Sequence, residues 1–310
     1  MSASLQLRAS SPSQLGAAFT RLISRSSLVD GQPPFNDQAL VDAASGARTL
    51  IVAEHGDVIA GAVIVGEGEF EFVVDPEFRR NGLGSILLER ILDGADPAIA
   101  GWAHGDHPAS RILAARTGFE AVRTLYQLRM PVPGPSTSGP STGSGNDGSG
   151  NDGSGNDGSG SGDGIVVDAF RPGVDDEAWV ALNARVFADH PEQGSITLDD
   201  LHARMAEPWF DAGDFLVARH DDRLIAYNWL KIEGADEPGE IYVVGVDSAY
   251  AGRGLGRRLM GRAFDRLRER GISTAALYVD ADNVGAVHLY RSLGFADHTV
   301  DVQYRRPLAG

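Results

Sequence analysis

Two stretches of this chain repeat one pattern. FVVDPEFRRNGLGSILL (72–88) and VVGVDSAYAGRGLGRRLM (243–260) each run from an apolar strand into a Gly/Arg loop and then into a helix. Each sets an aspartate, Asp75 or Asp247, seven residues ahead of the first glycine of a Gly-Leu-Gly triplet, Gly82 or Gly254. A strand that feeds a helix through a tight glycine turn is a unit of α/β architecture, so two such units constrain the chain to two similar halves. Between them, Pro131 to Gly164 is almost only Pro, Ser, Thr, Gly, Asn and Asp, with three GNDGS pentads starting at Gly145. That composition buries too little apolar surface to offset its ordering entropy. A flexible linker is expected at 132–164, between domains at 1–131 and 165–310.

Each half reads as helix, strands, loop and helix. In the first, 13–26 is a helix candidate, TLIVAEH (49–55), VIAGAVIVG (58–66) and EFEFVVDP (69–76) are strands, and Leu83, Leu87 and Ile91 mark one helix face. In the second, 175–188 is helical, FLVARH (215–220) and RLIAYNWLKIE (223–233) form a hairpin, and EIYVVGVD (240–247) follows. Leu255, Leu259, Ala263 and Leu267 recur at helical spacing, AALYVD (275–280) is a strand, and Asn283 caps a short helix that stops at Gly294. The fold class is therefore α/β, an α+β mixed sheet in two tandem copies.

At 310 residues and 42% hydrophobic content, two packed domains are affordable in size, and a formal charge of -16 argues against nucleic acid or an anionic membrane as partner. The absence of cysteine excludes disulfides, thiolate metal sites and a cysteine nucleophile. The first residues lack an apolar core, and no run nears the ~18 apolar residues of a membrane span, so a cytoplasmic monomer without a signal peptide is expected. His190, His202 and His220 show no ligand spacing, so no metal is expected.

The Gly/Arg loops suit an anion. Gly254 and Gly256, like Gly82 and Gly84, let backbone N–H groups converge without a Cβ in the way, and the helix N-terminus adds partial positive charge. Arg79 and Arg80 in one copy, and Arg253, Arg257 and Arg258 in the other, add local charge. A Walker A loop would need Gly-Lys-Ser/Thr, and a dinucleotide fingerprint would need GxGxxG with a later acid; neither is present.

The strand ending VVGVD, the loop AGRGLG (251–256), NVGAVHLY (283–290) and SLGF (292–295), with RRNGLG (79–84) and TGF (117–119) in the first half, resemble the GNAT N-acetyltransferase superfamily. That resemblance implies acetyl-CoA as co-substrate, its pyrophosphate held by the loop and its pantetheine arm by the preceding splayed strand. It places cofactor contacts at Phe72, Val73, Val74, Arg79, Arg80, Asn81, Gly82, Leu83 and Gly84. In the second copy it places them at Val244, Gly245, Val246, Ala251, Gly252, Arg253, Gly254, Leu255, Gly256 and Arg257, and at Asn283, Val284, Gly285, Ala286, Val287 and His288. Ala251 departs from the usual Gln or Arg, which Arg79 keeps. WAHG (102–105), HPEQG (190–194), EIYVVGVD and LYVDADNVGAVHLY (277–290) narrow the resemblance to tandem members that acetylate the cysteine amine of a cysteinyl-glucosaminyl-inositol.

Acetyl transfer to an amine needs a base for the ammonium, donors for the carbonyl oxygen and an acid for the departing thiolate. Glu240, which opens the strand beside the cofactor, is the expected base, Tyr290 the expected acid, and the backbone near Val244–Val246 the oxyanion donor. Counted from Asp75 and Gly118, the equivalent first-copy positions are Gly68 and Ala114, so the first domain is expected to bind acetyl-CoA without catalysis. The resemblance implies acceptor contacts from Glu192, Lys231, Glu240 and Tyr278, with Asp37 reaching from the first domain; His104 is expected to be structural. Acetylation of another amine, an aminoglycoside or a protein N-terminus, and a non-catalytic acetyl-CoA sensor are the alternatives.

Overall fold

The computed structural model describes residues 5–134, 164–188 and 191–307. The GNDGS pentads, and so most of the expected linker, lie outside them. The described chain forms two compact units. The first takes Met1–Leu128 with Val279–Ser292 and Asp297–Gly310, and the second Arg129–Tyr278 with Leu293–Ala296.

In chain order the first half contributes β1 (Leu5–Ser10), α1 (Pro12–Leu15), α2 (Ala17–Asp30), α3 (Asp37–Ser45), β2 (Thr49–His55), β3 (Val58–Gly66), β4 (Glu69–Val74), α4 (Leu83–Leu92), β5 (Ala100–Ala103), α5 (Pro108–Thr117) and β6 (Glu120–Pro131). The second half contributes β7 (Ile165–Ala169), α6 (Asp176–Val186), α7 (Pro191–Gly194), α8 (Leu198–Met205), β8 (Phe215–His220), β9 (Arg223–Lys231), β10 (Gly239–Val246), α9 (Leu255–Glu269), β11 (Thr274–Asp280), α10 (Val284–Leu293) and β12 (Ala296–Arg305). The helix expected at 13–26 is broken at Gly16, whose φ of 48° ends α1 and starts α2.

In the first unit the strand order is β1-β2-β3-β4-β5-β12-β6. One face of this mixed sheet, with Leu50, Val52, Ala62, Ile64 and Val73, packs on Phe19, Leu22, Phe35 and Ala39 around α2 and α3. The other, with Ala53, Val63 and Phe70, packs on Leu83, Leu87, Leu88 and Ile91 of α4 and Ala114 of α5. Leu87 is fully buried, worth roughly 2–3 kcal/mol against exposure. The C-terminal strand β12 enters this sheet between β5 and β6, pairing antiparallel with β5 from Val302 to Ala103 through Arg305 to Ala100. Contiguous domains at 1–131 and 165–310 therefore differ from the observed units, because α10 and β12 group with the first.

In the second unit the order is β11-β10-β9-β8-β7. Phe215 stacks between Phe170 and Trp229 at 4.3 Å on each side, and Trp179 meets it edge-on at 5.5 Å. The spacing-four stripe of α9 is buried as expected, Leu259, Ala263 and Leu267 completely. The duplication extends to irregularities: the β2–β3 and β8–β9 hairpins both shift register, at Ala53/Glu54 and Ala218/Arg219. No helix among the described residues is long and apolar enough to cross a membrane.

Candidate active site

The two Gly/Arg loops have one backbone. Asp75 and Asp247 each accept at Oδ1 the N–H two residues on, from Glu77 at 2.9 Å and Ala249 at 3.0 Å. Their own N–H groups donate to Ala60 O and Ile225 O, at 2.9 and 2.8 Å. Gly82 (φ 83°) and Gly254 (φ 75°) are left-handed N-caps of α4 and α9, and neither helix end receives a side-chain cap. Two residues earlier, Arg80 (φ 66°) and Gly252 (φ 74°) are also left-handed. Alternating left-handed residues before an uncapped helix turn successive N–H groups toward one side, the geometry that fits a pyrophosphate. Arg80 occupies its position at a cost of about 1 kcal/mol that Gly252 avoids.

The strands before both loops splay. β4 pairs in parallel with β5 only at Glu69–Ala100 and Phe70–Gly101, and β10 with β11 only from Gly239–Ala275 to Ile241–Leu277. Beyond those pairs the backbone of Phe72, Val73 and Val74, and of Val244, Gly245 and Val246, has no parallel partner among the described residues. Gly245 is required by a close approach: a Cβ there would lie 2.8 Å from the Tyr227 ring.

In the first unit the splay opens into a cleft of about 640 Å³ lined by Phe72, Val74, Arg79, Arg80, Gly82, Gly84, His104 and α5. Leu83 is buried in the core, and neither it nor Asn81 is among the residues that line the cleft. Arg79 lines the cleft but grips Asp30 through both terminal nitrogens at 2.7 Å, and its Nε donates to Val74 O at 2.9 Å. Its charge is therefore already matched by a carboxylate. On the same unit His104 bridges Glu71 (Nε2, 3.1 Å) and Asp301 (Nδ1, 3.2 Å). Burial alone would lower the imidazole, but the hydrogen bonds to Asp301 and Glu71 raise it to about 9. Glu71 also accepts the Asn36 N–H (2.9 Å) and Nδ2 (2.6 Å), so its fully buried carboxylate is satisfied. Asp37, beside Asn36, is exposed in the first turn of α3.

In the second unit, Lys231 and Glu240 are direct partners across β9 and β10, and Glu240 pairs with Ala276 on β11, two residues before Tyr278. Period-two alternation puts Lys231, Glu240 and Tyr278 on one face. Lys231 Nζ lies 3.2 Å from Glu233 and 5.9 Å from the centre of the Trp209 ring. Glu192 falls in α7, but its side chain lies outside the described atoms. On α10, which groups with the first unit, Tyr290 is buried, and burial pushes its phenol up to about 12, so it is a protonated donor at neutral pH. Asn283 caps α10, accepting the Ala286 N–H at 3.1 Å. Arg258 points elsewhere than its loop, donating to Ile165 O at 2.7 Å, while Arg253 lies 5.0 Å from the Tyr250 ring centre.

The strand register corrects the comparison between copies. From Val74 paired with Gly61, five steps reach Glu69 paired with Gly66. From Val246 paired with Ala226, five steps along β9 reach Lys231, paired with Glu240, because β10 bulges at Tyr242. Counting residues points to Gly68, but the structural equivalent of Glu240 is Glu69. Its carboxylate accepts from Gln303 Nε2 at 2.8 Å and lies 3.7 Å from Arg48. Ala114 remains the equivalent of Tyr290, since each sits four residues before a left-handed glycine, Gly118 or Gly294.

Sequence reasoning missed Asn183 and Tyr227. The Tyr227 hydroxyl donates to Asn183 Oδ1 at 2.6 Å, and Asn183 Nδ2 donates to Gln193 O at 2.6 Å. This holds part of HPEQG against α6; a polar residue on a helix's buried face was the available signal. Among the described residues no group of three or more acidic or histidine side chains is placed to hold a metal.

The acetyltransferase (GNAT) family profile matches residues 179–295, and an acetyltransferase (GNAT) domain profile matches 46–127. The mycothiol acetyltransferase of Thermobispora bispora is 43% identical, covering 89% of this chain and 91% of its own. That of Clavibacter sepedonicus is 44% identical, covering 92% and 90%. In fold, the solved structure of a GCN5-related N-acetyltransferase from Sphaerobacter thermophilus superposes with a TM-score of 0.72 at 21% identity, covering 98% and 97%.

Proposed function

The chain belongs to the mycothiol acetyltransferase family of GNAT enzymes, and on that premise we propose that it moves acetyl from acetyl-CoA to the cysteine amine of a cysteinyl-glucosaminyl-inositol. The co-substrate supplies an activated thioester. Glu240, directly or through water, takes the proton that the ammonium must lose before nitrogen can attack. The N–H groups of Val244–Val246 face the charge that gathers on the carbonyl oxygen. As the C–N bond forms and the C–S bond breaks, Tyr290 gives its proton to sulfur. Lys231, Tyr278, Glu192 and Asp37 bind the polyhydroxylated acceptor, for which polar and charged groups are the suitable lining.

The observation that carries this reading is the placement of Glu240 at the point where β10 and β11 begin to separate, on one face with Lys231 and Tyr278. The first copy keeps the loop and cleft but lacks the acid, and its Glu69 is committed to Gln303 and Arg48. It therefore binds acetyl-CoA without turnover. A small-molecule acceptor, no nucleic-acid or membrane partner, a monomer and a cytoplasmic location complete the proposal, in keeping with the charge of -16. The test is thiol release from acetyl-CoA with the cysteinyl amine against a panel of amino sugars and peptide N-termini. Preference for another amine would overturn the acceptor, and no release with any amine would overturn the enzyme reading.

A further inference from the structure

Under α5 the first unit holds a second, smaller cavity of about 40 Å³, walled by Phe70, Leu88 and Phe119 and bounded by Ala114. It shares Phe72, Trp102 and Leu113 with the large cleft, so the two spaces adjoin. Its origin is legible by comparison within the chain: where the second copy carries the Tyr290 phenol, the first carries the Ala114 methyl. Two of the hydroxyls at its edge are directed elsewhere, Thr117 Oγ1 donating to Leu113 O at 2.8 Å and Tyr304 bonding Asp106 at 3.4 Å, and Ser110 is the third hydroxyl residue in its lining. Such a space holds water poorly and has room for about three water-sized groups.

We propose that this cavity seats the acyl chain of an acyl-CoA longer than acetyl, which makes the first copy a binding site for short-chain acyl-CoA. The proposal rests on reading the adjoining cleft as a CoA site. The phenol's position in the second copy is the one assigned to a proton donor for the thioester sulfur. Deleting it leaves apolar space beside the sulfur and acyl end, while the pyrophosphate end is unchanged. Each methylene moved from water into such walls strengthens binding about fourfold, so two more carbons give up to roughly 15-fold.

The test uses the full chain carrying Gly254→Val, which obstructs the second loop, in calorimetric titrations with CoA, acetyl-CoA and butyryl-CoA. Butyryl-CoA is expected to bind about tenfold more tightly than acetyl-CoA. Ala114→Leu, which fills the cavity, should remove that preference and keep CoA affinity within about twofold. Should Gly254→Val fail to fold, the same comparison is read on the unaltered chain as the loss of butyryl-CoA affinity that Ala114→Leu causes. Equal affinities for the two acyl-CoAs, or a preference that survives Ala114→Leu, overturn the acyl cavity and leave the CoA cleft standing. Absence of any CoA binding overturns the cleft reading as well.

Discussion

His104 ties stability to pH in a direction opposite to that of a surface carboxylate. It is held between Glu71 on β4 and Asp301 on β12, its side chain 11% exposed. Its imidazole rises from 6.5 to about 9. A folded value above the unfolded one means that the folded state holds the proton more tightly. The contribution is then full below about pH 6.5 and lost as pH climbs to about 9. The shift corresponds to about 3 kcal/mol, since one unit is about 1.4 kcal/mol. His104→Gln removes the titrating group, so its urea-unfolding deficit against the unaltered chain should be large at pH 6 and shrink by about 3 kcal/mol by pH 9.5. A proton NMR titration of the His104 ring reports the same transition directly. A deficit that stays constant between pH 6 and 9.5, or a ring that titrates near 6.5, would refute the buried imidazolium and its bridge from β4 to β12.

Three further outcomes follow from the geometry. Tyr290→Phe keeps the buried ring and removes the proton donor, so kcat should fall about 10- to 100-fold while acetyl-CoA binding measured by calorimetry is unchanged. Gly245→Ala drives a methyl to within 2.8 Å of Tyr227, which is itself hydrogen-bonded to Asn183, and should lower stability by about 1–3 kcal/mol in thermal unfolding. Arg80→Gly relieves a left-handed arginine and should raise stability by several tenths to about 1 kcal/mol, read as a shift in urea midpoint.

Strands that are compact apolar runs were legible, AALYVD of β11 included although its partner β10 lies across α9, and the polar C-terminal strand was not. TLIVAEH and VIAGAVIVG form β2 and β3 at the expected limits because both are apolar runs around a tight turn. β12 could be seen neither as a strand nor as part of the first unit, since its pairing with β5 leaves no trace in local periodicity. The bulge at Tyr242 shifts every residue before it by one position, so an ungapped count from Asp75 landed on Gly68 instead of Glu69. The loops were legible because left-handed backbone calls for glycine, as at Gly82 and Gly254; Arg80 breaks that rule and only the backbone reveals it. Which arginines stay available is a matter of tertiary partners: Asp30 takes Arg79, and Ile165 O takes Arg258.

The division of labour between the copies meets its most direct test in parallel substitutions at structurally equivalent carboxylates, Glu240→Gln and Glu69→Gln, assayed for thiol release from acetyl-CoA with the cysteinyl amine. Glu240→Gln should lose roughly 100-fold at neutral pH, with the loss narrowing as pH rises and free amine accumulates. Glu69→Gln should stay within about twofold, because its carboxylate serves Gln303 and Arg48. Equal losses from the two variants, or near-normal turnover by Glu240→Gln at neutral pH, would contradict the assignment of catalysis to the second copy.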